Sequence, residues 1–206
     1  MSQFHQFLQI AEEIEQKLVD LDTKRDELMR ISRKIIKLCG QCIENFHLQR
    51  ISDAKEQIAA TEILIQQVNE YLKHDPYLYQ NSIINVAFQE YVEAKLLISI
   101  VEEERLIPVK DLSVYEPFYL LGIADLIGEL RRYILEQLVD EKIEVAKKFY
   151  SIMRELYGSV MQIEYGKNLV SEFRRKKDTA RVLIERTLSD LFVAINTKKF
   201  VDKNKT

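Results

Sequence analysis

Glu90 and Glu93 sit in "QEYVEA", inside the apolar run "IINVAFQEYVEAKLLISIV"; Asp125 and Glu129 interrupt "YLLGIADLIGELRRYILEQL" in the same way. At about 100° per residue, the first pair lies about 60° apart on one helical face and the second about 40° apart, with Arg132 continuing the second stripe. A buried carboxylate is unfavourable unless it is paired or bound to a cation. If the two helices pack side by side, these carboxylates converge, and such a group cannot stay ionised without a cation or raised pKa values. Hard oxygen donors favour Mg²⁺, Mn²⁺ or Ca²⁺ over thiophilic metals. The chemistry that suits such a cluster is phosphodiester hydrolysis, in which bound metal activates water and steadies the leaving oxygen.

Spacing alone leaves a second reading open, and favours it. Glu90 can face solvent, Glu93 can pair with a basic side chain, and Asp125 and Glu129 can pair with Arg131 or Arg132. Charges three or four apart on a helix usually mark a solvated face. The choice turns on whether the two helices are neighbours.

Helical periodicity runs through nearly the whole chain. It predicts a first segment over about residues 3–48, as one helix or as two joined near Asp20–Thr23. A second helix is expected over about 51–72, capped by Ser52 or Asp53. "KHDPYLYQNS" is a loop broken by Pro76, with Ser82 capping the third helix, which runs to about 104 and carries Glu90 and Glu93. "RLIPVKDLSVYEPF" is a second break holding a turn or short helix. A fourth helix over about 118–139 carries Asp125 and Glu129. Asp140 opens a fifth to about Tyr157, and Gly158 and Gly166 punctuate the chain. The last helix is expected over about Leu169–Phe192, followed by a fraying polar tail that is flexible over about 199–206. The architecture is all-α: six or seven mostly antiparallel helices in one domain spanning residues 1–206. The third and fourth helices are apolar around much of their circumference, which places each centrally or at a subunit interface and favours self-association.

Composition excludes several classes. Only 5 glycines and 3 prolines, with 47% hydrophobic and 31% charged residues, leave too few turns for a β-sandwich or barrel. A net charge of −3 gives no global attraction to polyanions, so nucleic-acid binding must come from a local patch. No run reaches the ~18 apolar residues of a membrane span, and the N-terminus has no signal-peptide core, so a soluble cytoplasmic protein is expected. Cys39 and Cys42 form a C-x-x-C without a second ligand pair or a βαβ context, and His5, His47 and His74 show no ligand spacing. Leu28, Ile31, Ile35, Leu38 and Cys42 share one helical face, so the cysteines read as core.

Two basic stretches could hold phosphates or simply solubilise a helix face. "KRDELMRISRKIIK" places Arg30, Arg33 or Lys34, and Lys37 opposite the apolar face, and "EFRRKKDTAR" contributes Arg174, Arg175, Lys176, Lys177 and Arg181. No P-loop, nucleophile elbow, dinucleotide fingerprint or RNA-recognition signature is present.

"FQEYVEAKLL", "DLIGELRR" and "KRDELMRISRKI" together resemble the translin superfamily, and "FRRKKDTARVLIERTLSDLFVAI" is similar in character to that family's last long helix. The resemblance covers roughly residues 10–200. Its nuclease subunit, of the translin-associated factor X type, carries an acidic set that falls here on Glu90, Glu93, Asp125 and Glu129; the translin-type subunit lacks that set and mainly binds nucleic acid. With all four acids present, the chain resembles the nuclease subunit more. The resemblance implies a Mg²⁺-dependent endoribonuclease (Mn²⁺ as the alternative ion) cleaving single-stranded RNA inside a hollow, octameric barrel. It further implies Glu93, Asp125 and Glu129 as metal ligands, with Glu90 completing the catalytic acids. Arg25, Arg30, Arg33, Lys34, Lys37 and Arg132 are the implied nucleic-acid contacts. A homo-octamer is expected, with a second translin-type subunit as the variant. The rival expectation is a non-catalytic protein that holds single-stranded RNA or DNA.

Overall fold

The computed structural model describes the backbone of residues 3–164, 170 and 172–203. Among these residues there are seven α-helices and one 3-10 turn, with no strand. They are α1 (Gln3–His47), α2 (Ile51–His74), the 3-10 turn (Pro76–Gln80), α3 (Ser82–Glu103), α4 (Val109–Leu112), α5 (Glu116–Val139), α6 (Ile143–Met161) and α7 (Phe173–Lys203). The first segment is thus one unbroken helix. The Asp20–Thr23 stretch stays helical, laced by the Lys24–Asp20 and Arg25–Asp22 ion pairs on its surface.

Several expected ends move. Neither Ser52 nor Asp53 caps α2; both lie inside it, after Arg50, which makes no side-chain cap. Asn81 rather than Ser82 caps α3, accepting from the Ile83 N–H at 3.1 Å. Asp140 closes α5 instead of opening α6. Gly158 is helical within α6, and Gly166 and Leu169 lie outside the described residues. The polar C-terminal stretch read as a tail continues α7 to Lys203.

Antiparallel packing follows the chain. α1 lies against α2 and α3, α3 against α5, and α5 against α6 and α7. α3 and α5 are therefore the middle of the bundle. Their all-round apolar surface is consumed inside the chain: Phe88, Leu96, Leu97, Leu126, Ile127 and Leu130 are fully buried. The surplus apolar surface lies elsewhere. α1 has 45 residues against the 24 of α2, so at ~1.5 Å per residue its first half extends beyond its partner. That half exposes Phe7, Ile10, Ile14 and Leu18 at helical spacing, and the end of α7 exposes Leu188, Phe192 and Phe200.

The α3–α5 contact is close at Gly122. A Cβ there would meet Val92 Cβ and Cγ1 at 2.7 Å and the Gln89 carbonyl oxygen at 2.9 Å, whereas one on Gly128 would meet only Leu183 Cδ1, at 3.9 Å. Gly122→Ala should therefore lose about 1–3 kcal/mol by overpacking. Gly128→Ala should be neutral or gain up to ~1 kcal/mol from helix propensity. Urea midpoints of the two variants check this; equal midpoints would mean the two helices do not approach closely at Gly122.

Candidate active site

Glu90 and Glu93 on α3 face Asp125 and Glu129 on α5, because the α3–α5 packing closes on Gln89, Val92 and Gly122 between them. Their charges act on one another: both α3 acids are pushed upward in pKa, first by burial and then by Asp125, with Glu129 contributing to each. Glu93 is the extreme case. Its residue is 8% exposed, and burial with the surrounding acids pushes its carboxyl up to about 9. No basic side chain pairs with it among the described residues.

The two α5 acids are held differently. Asp125 accepts from Gln89 Nε2 at 2.5 Å on one oxygen and from Lys176 Nζ at 2.5 Å on the other. Glu129 accepts from His47 Nε2 at 2.8 Å and lies 3.9 Å from an Arg132 nitrogen. His47, the last residue of α1, has its ring almost wholly enclosed, and its Nδ1 lies 2.8 Å from Glu136. Arg132 Nε lies 3.4 Å from Glu136, completing a chain Glu129–His47–Glu136–Arg132 along α5. Arg131 points away, to Thr187 and Asp190 on α7.

The donor set is all carboxylate, which suits a hard divalent cation. As the side chains stand, no three or more His, Cys, Asp or Glu residues among those described are drawn together as a ready cage. The reason is visible in the partners: Asp125 is taken by Gln89 and Lys176, and Glu129 by His47 and Arg132. An ion could be held by Glu93, Asp125 and Glu129 only after such partners yield.

Among the basic residues expected to meet nucleic acid, Arg33, Lys34 and Lys37 are exposed on α1 and make no ion pair among the described residues. Arg25 pairs with Asp22 and Asp26, Arg30 with Glu27, and Arg132 with Glu129 and Glu136. The second basic stretch splits. Lys176 turns in to Asp125, Lys177 donates to the carbonyls of Met161 and Ile163, and Arg181 reaches the Tyr157 hydroxyl. Cys39 and Cys42 are fully buried free thiols whose pKa values burial pushes up, Cys42 to about 12. They are protonated core residues, as the apolar stripe of α1 predicts.

Sequence reasoning missed His47, Gln89 and Lys176. Gln89 had a signal, since it lies four residues before Glu93 on the same helical face. Lys176 was noted only as one of a basic run that could hold phosphates or solubilise a helix face, not as a partner of Asp125. His47 had none, because its partners are 82 and 89 residues away.

The fold is an all-helical bundle whose two central helices bring one buried and three half-buried acids to face one another. The chain belongs to the Translin family, whose sequence profile matches residues 12–187. An uncharacterised protein of Methanocaldococcus jannaschii is 29% identical over 184 residues, covering 88% of this chain and 81% of that one. Among solved structures, AfC3PO in complex with duplex RNA superposes with a TM-score of 0.84 at 30% identity, covering 91% of this chain and 97% of the other. Apo-NeC3PO superposes with a TM-score of 0.82 at 28% identity, covering 89% and 96%.

Proposed function

We propose that this protein is a divalent-metal-dependent endoribonuclease of the factor-X type, cutting single-stranded RNA within an oligomer. The observation that carries the proposal is Glu93: a buried carboxyl with no basic partner among the described residues, beside Glu90 on α3 and facing Asp125 and Glu129 across the α3–α5 contact. A structural salt bridge would supply a cation to such a group; a metal site need not. Mg²⁺, when bound, supplies a Lewis acid and an activated water. Glu93, Asp125 and Glu129 are the residues to hold it, and Glu90 is placed to orient the attacking water as a hydrogen-bond acceptor. Arg132 can exchange Glu136 for a phosphate oxygen, and Arg33, Lys34 and Lys37 can bind further along the backbone. RNA binding is supported by AfC3PO, which binds duplex RNA and shares this fold. Self-association into a barrel, with an octamer as the proposed size, is supported by the exposed apolar faces of α1 and α7.

The second reading is a protein that binds RNA without cutting it. It is favoured by Asp125 and Glu129 each already having a cationic neighbour, Lys176 and Arg132. Incubating the purified protein with labelled single- and double-stranded RNA, in Mg²⁺ or in EDTA, separates the two. Mg²⁺-dependent product from the single strand is expected. Retention of RNA in both buffers with no product establishes the binding protein instead, and product from the duplex alone overturns the single-strand assignment.

A further inference from the structure

Lys176 is the fourth residue of α7, and its helix start is fixed in place: Phe173 is fully buried, and the neighbouring Lys177 is tied to the end of α6. From there the Lys176 side chain, 13% exposed, reaches the acids of α3 and α5 and sets Nζ 2.5 Å from Asp125 Oδ1. Its positive charge is also the one that opposes the upward push on Glu90 and Glu93. Among the described residues, the other basic side chains near the site, His47 and Arg132, are engaged at Glu129 and Glu136. Lys176 therefore sits where the negative charge of both helices converges. With Gln89 on Oδ2, each Asp125 oxygen accepts one hydrogen bond.

We propose that Lys176 is an exchangeable internal counter-cation: its ammonium holds Asp125 in the metal-free protein and gives up that carboxylate to an incoming divalent ion. The inference rests on the metal-dependent reading above and adds to it a competition that sets how tightly the ion is held. A divalent ion held by Asp125 and an ammonium on the same carboxylate would repel each other. Metal binding must therefore displace Nζ, and the free energy of the Lys176–Asp125 pair is subtracted from metal affinity. Lys176 is thus a positioning residue, acting through Asp125. A lysine suits the task better than arginine, since its single ammonium leaves without breaking a two-pronged contact.

The test is Mn²⁺ binding to the intact protein, followed by the loss of the free-ion electron paramagnetic resonance signal. Lys176→Met should bind Mn²⁺ at least about tenfold more tightly than wild type, because a competing positive charge has been removed. Lys176→Arg should bind no more tightly than wild type, because its two-pronged contact with Asp125 is harder to displace. Saturable binding by wild type with equal or weaker binding by Lys176→Met overturns the counter-cation while leaving the metal site standing. No saturable binding by any of the three overturns the metal site and the inference with it. A second measurement needs no variant: mild acylation of wild-type lysines, read by mass spectrometry. Labelling of Lys176 should rise several-fold on saturation with Mn²⁺, as the amine leaves Asp125; unchanged or reduced labelling overturns the exchange.

Discussion

Asp125→Asn is expected to lower Mg²⁺-dependent RNA cleavage by at least about 10²-fold while leaving RNA retention in EDTA unchanged. Asn has the shape of Asp, so α3 and α5 can pack as before, but one carboxylate oxygen becomes an NH₂ that cannot ligate a cation and the remaining carbonyl oxygen carries no formal charge. Losing a ligand of a Lewis-acidic ion removes several kcal/mol of transition-state stabilisation, and each ~1.4 kcal/mol is a factor of ten in rate. The change also strands the Lys176 ammonium, whose partner on Asp125 is part-buried, so thermal unfolding must be recorded beside activity. A variant that melts with wild type yet does not cut establishes a chemical role for Asp125. One that cuts labelled RNA as fast as wild type shows that the acid cluster is not the active site.

The acids themselves were legible in the sequence because a carboxylate inside an apolar helical run breaks a strong pattern. Glu93 is buried, it faces the α5 acids, and no salt bridge among the described residues absorbs it. What spacing could not supply was the set of partners. His47 and Lys176 come from the end of α1 and the start of α7, and their contacts on α5 are set by tertiary packing that leaves no period in the chain. The same limit left open whether the apolar third and fourth predicted helices are central or at an interface. α3 and α5 are apolar all round because they are central, while the unpartnered surface belongs to α1, a helix whose mean composition is polar. Helix ends were harder still. Turns at Gln49, Glu104, Ser113 and Glu141 adopt positive φ without glycine, so the usual punctuation is missing where the chain turns and present at Gly158 where it does not.

Glu93→Gln should stabilise the metal-free protein, and by an amount that grows with pH. Burial and the neighbouring acids push the Glu93 carboxyl from its ordinary 4.5 up to about 9 in the folded chain. Between those values the folded protein keeps a proton that the unfolded chain releases. The unfolded state then binds fewer protons, and stability falls as pH rises, with a limiting slope of ~1.4 kcal/mol per pH unit for one proton. Below about pH 4.5 both states are protonated and the penalty vanishes; above about 9 it is complete. Glutamine keeps the shape and cannot ionise, so melting curves in EDTA from pH 5 to 9 should diverge, with wild type falling and the variant flatter. Each kcal/mol regained at pH 8 corresponds to roughly 2–4 °C for a chain of this size. The metal reverses the sign: saturating Mg²⁺ should stabilise wild type more at pH 8 than at pH 6, since the ion must displace the Glu93 proton. Glu93→Gln should lose most of that Mg²⁺-induced shift. Parallel wild-type and variant curves in EDTA would show that Glu93 is satisfied in a way its buried, unpaired position does not reveal.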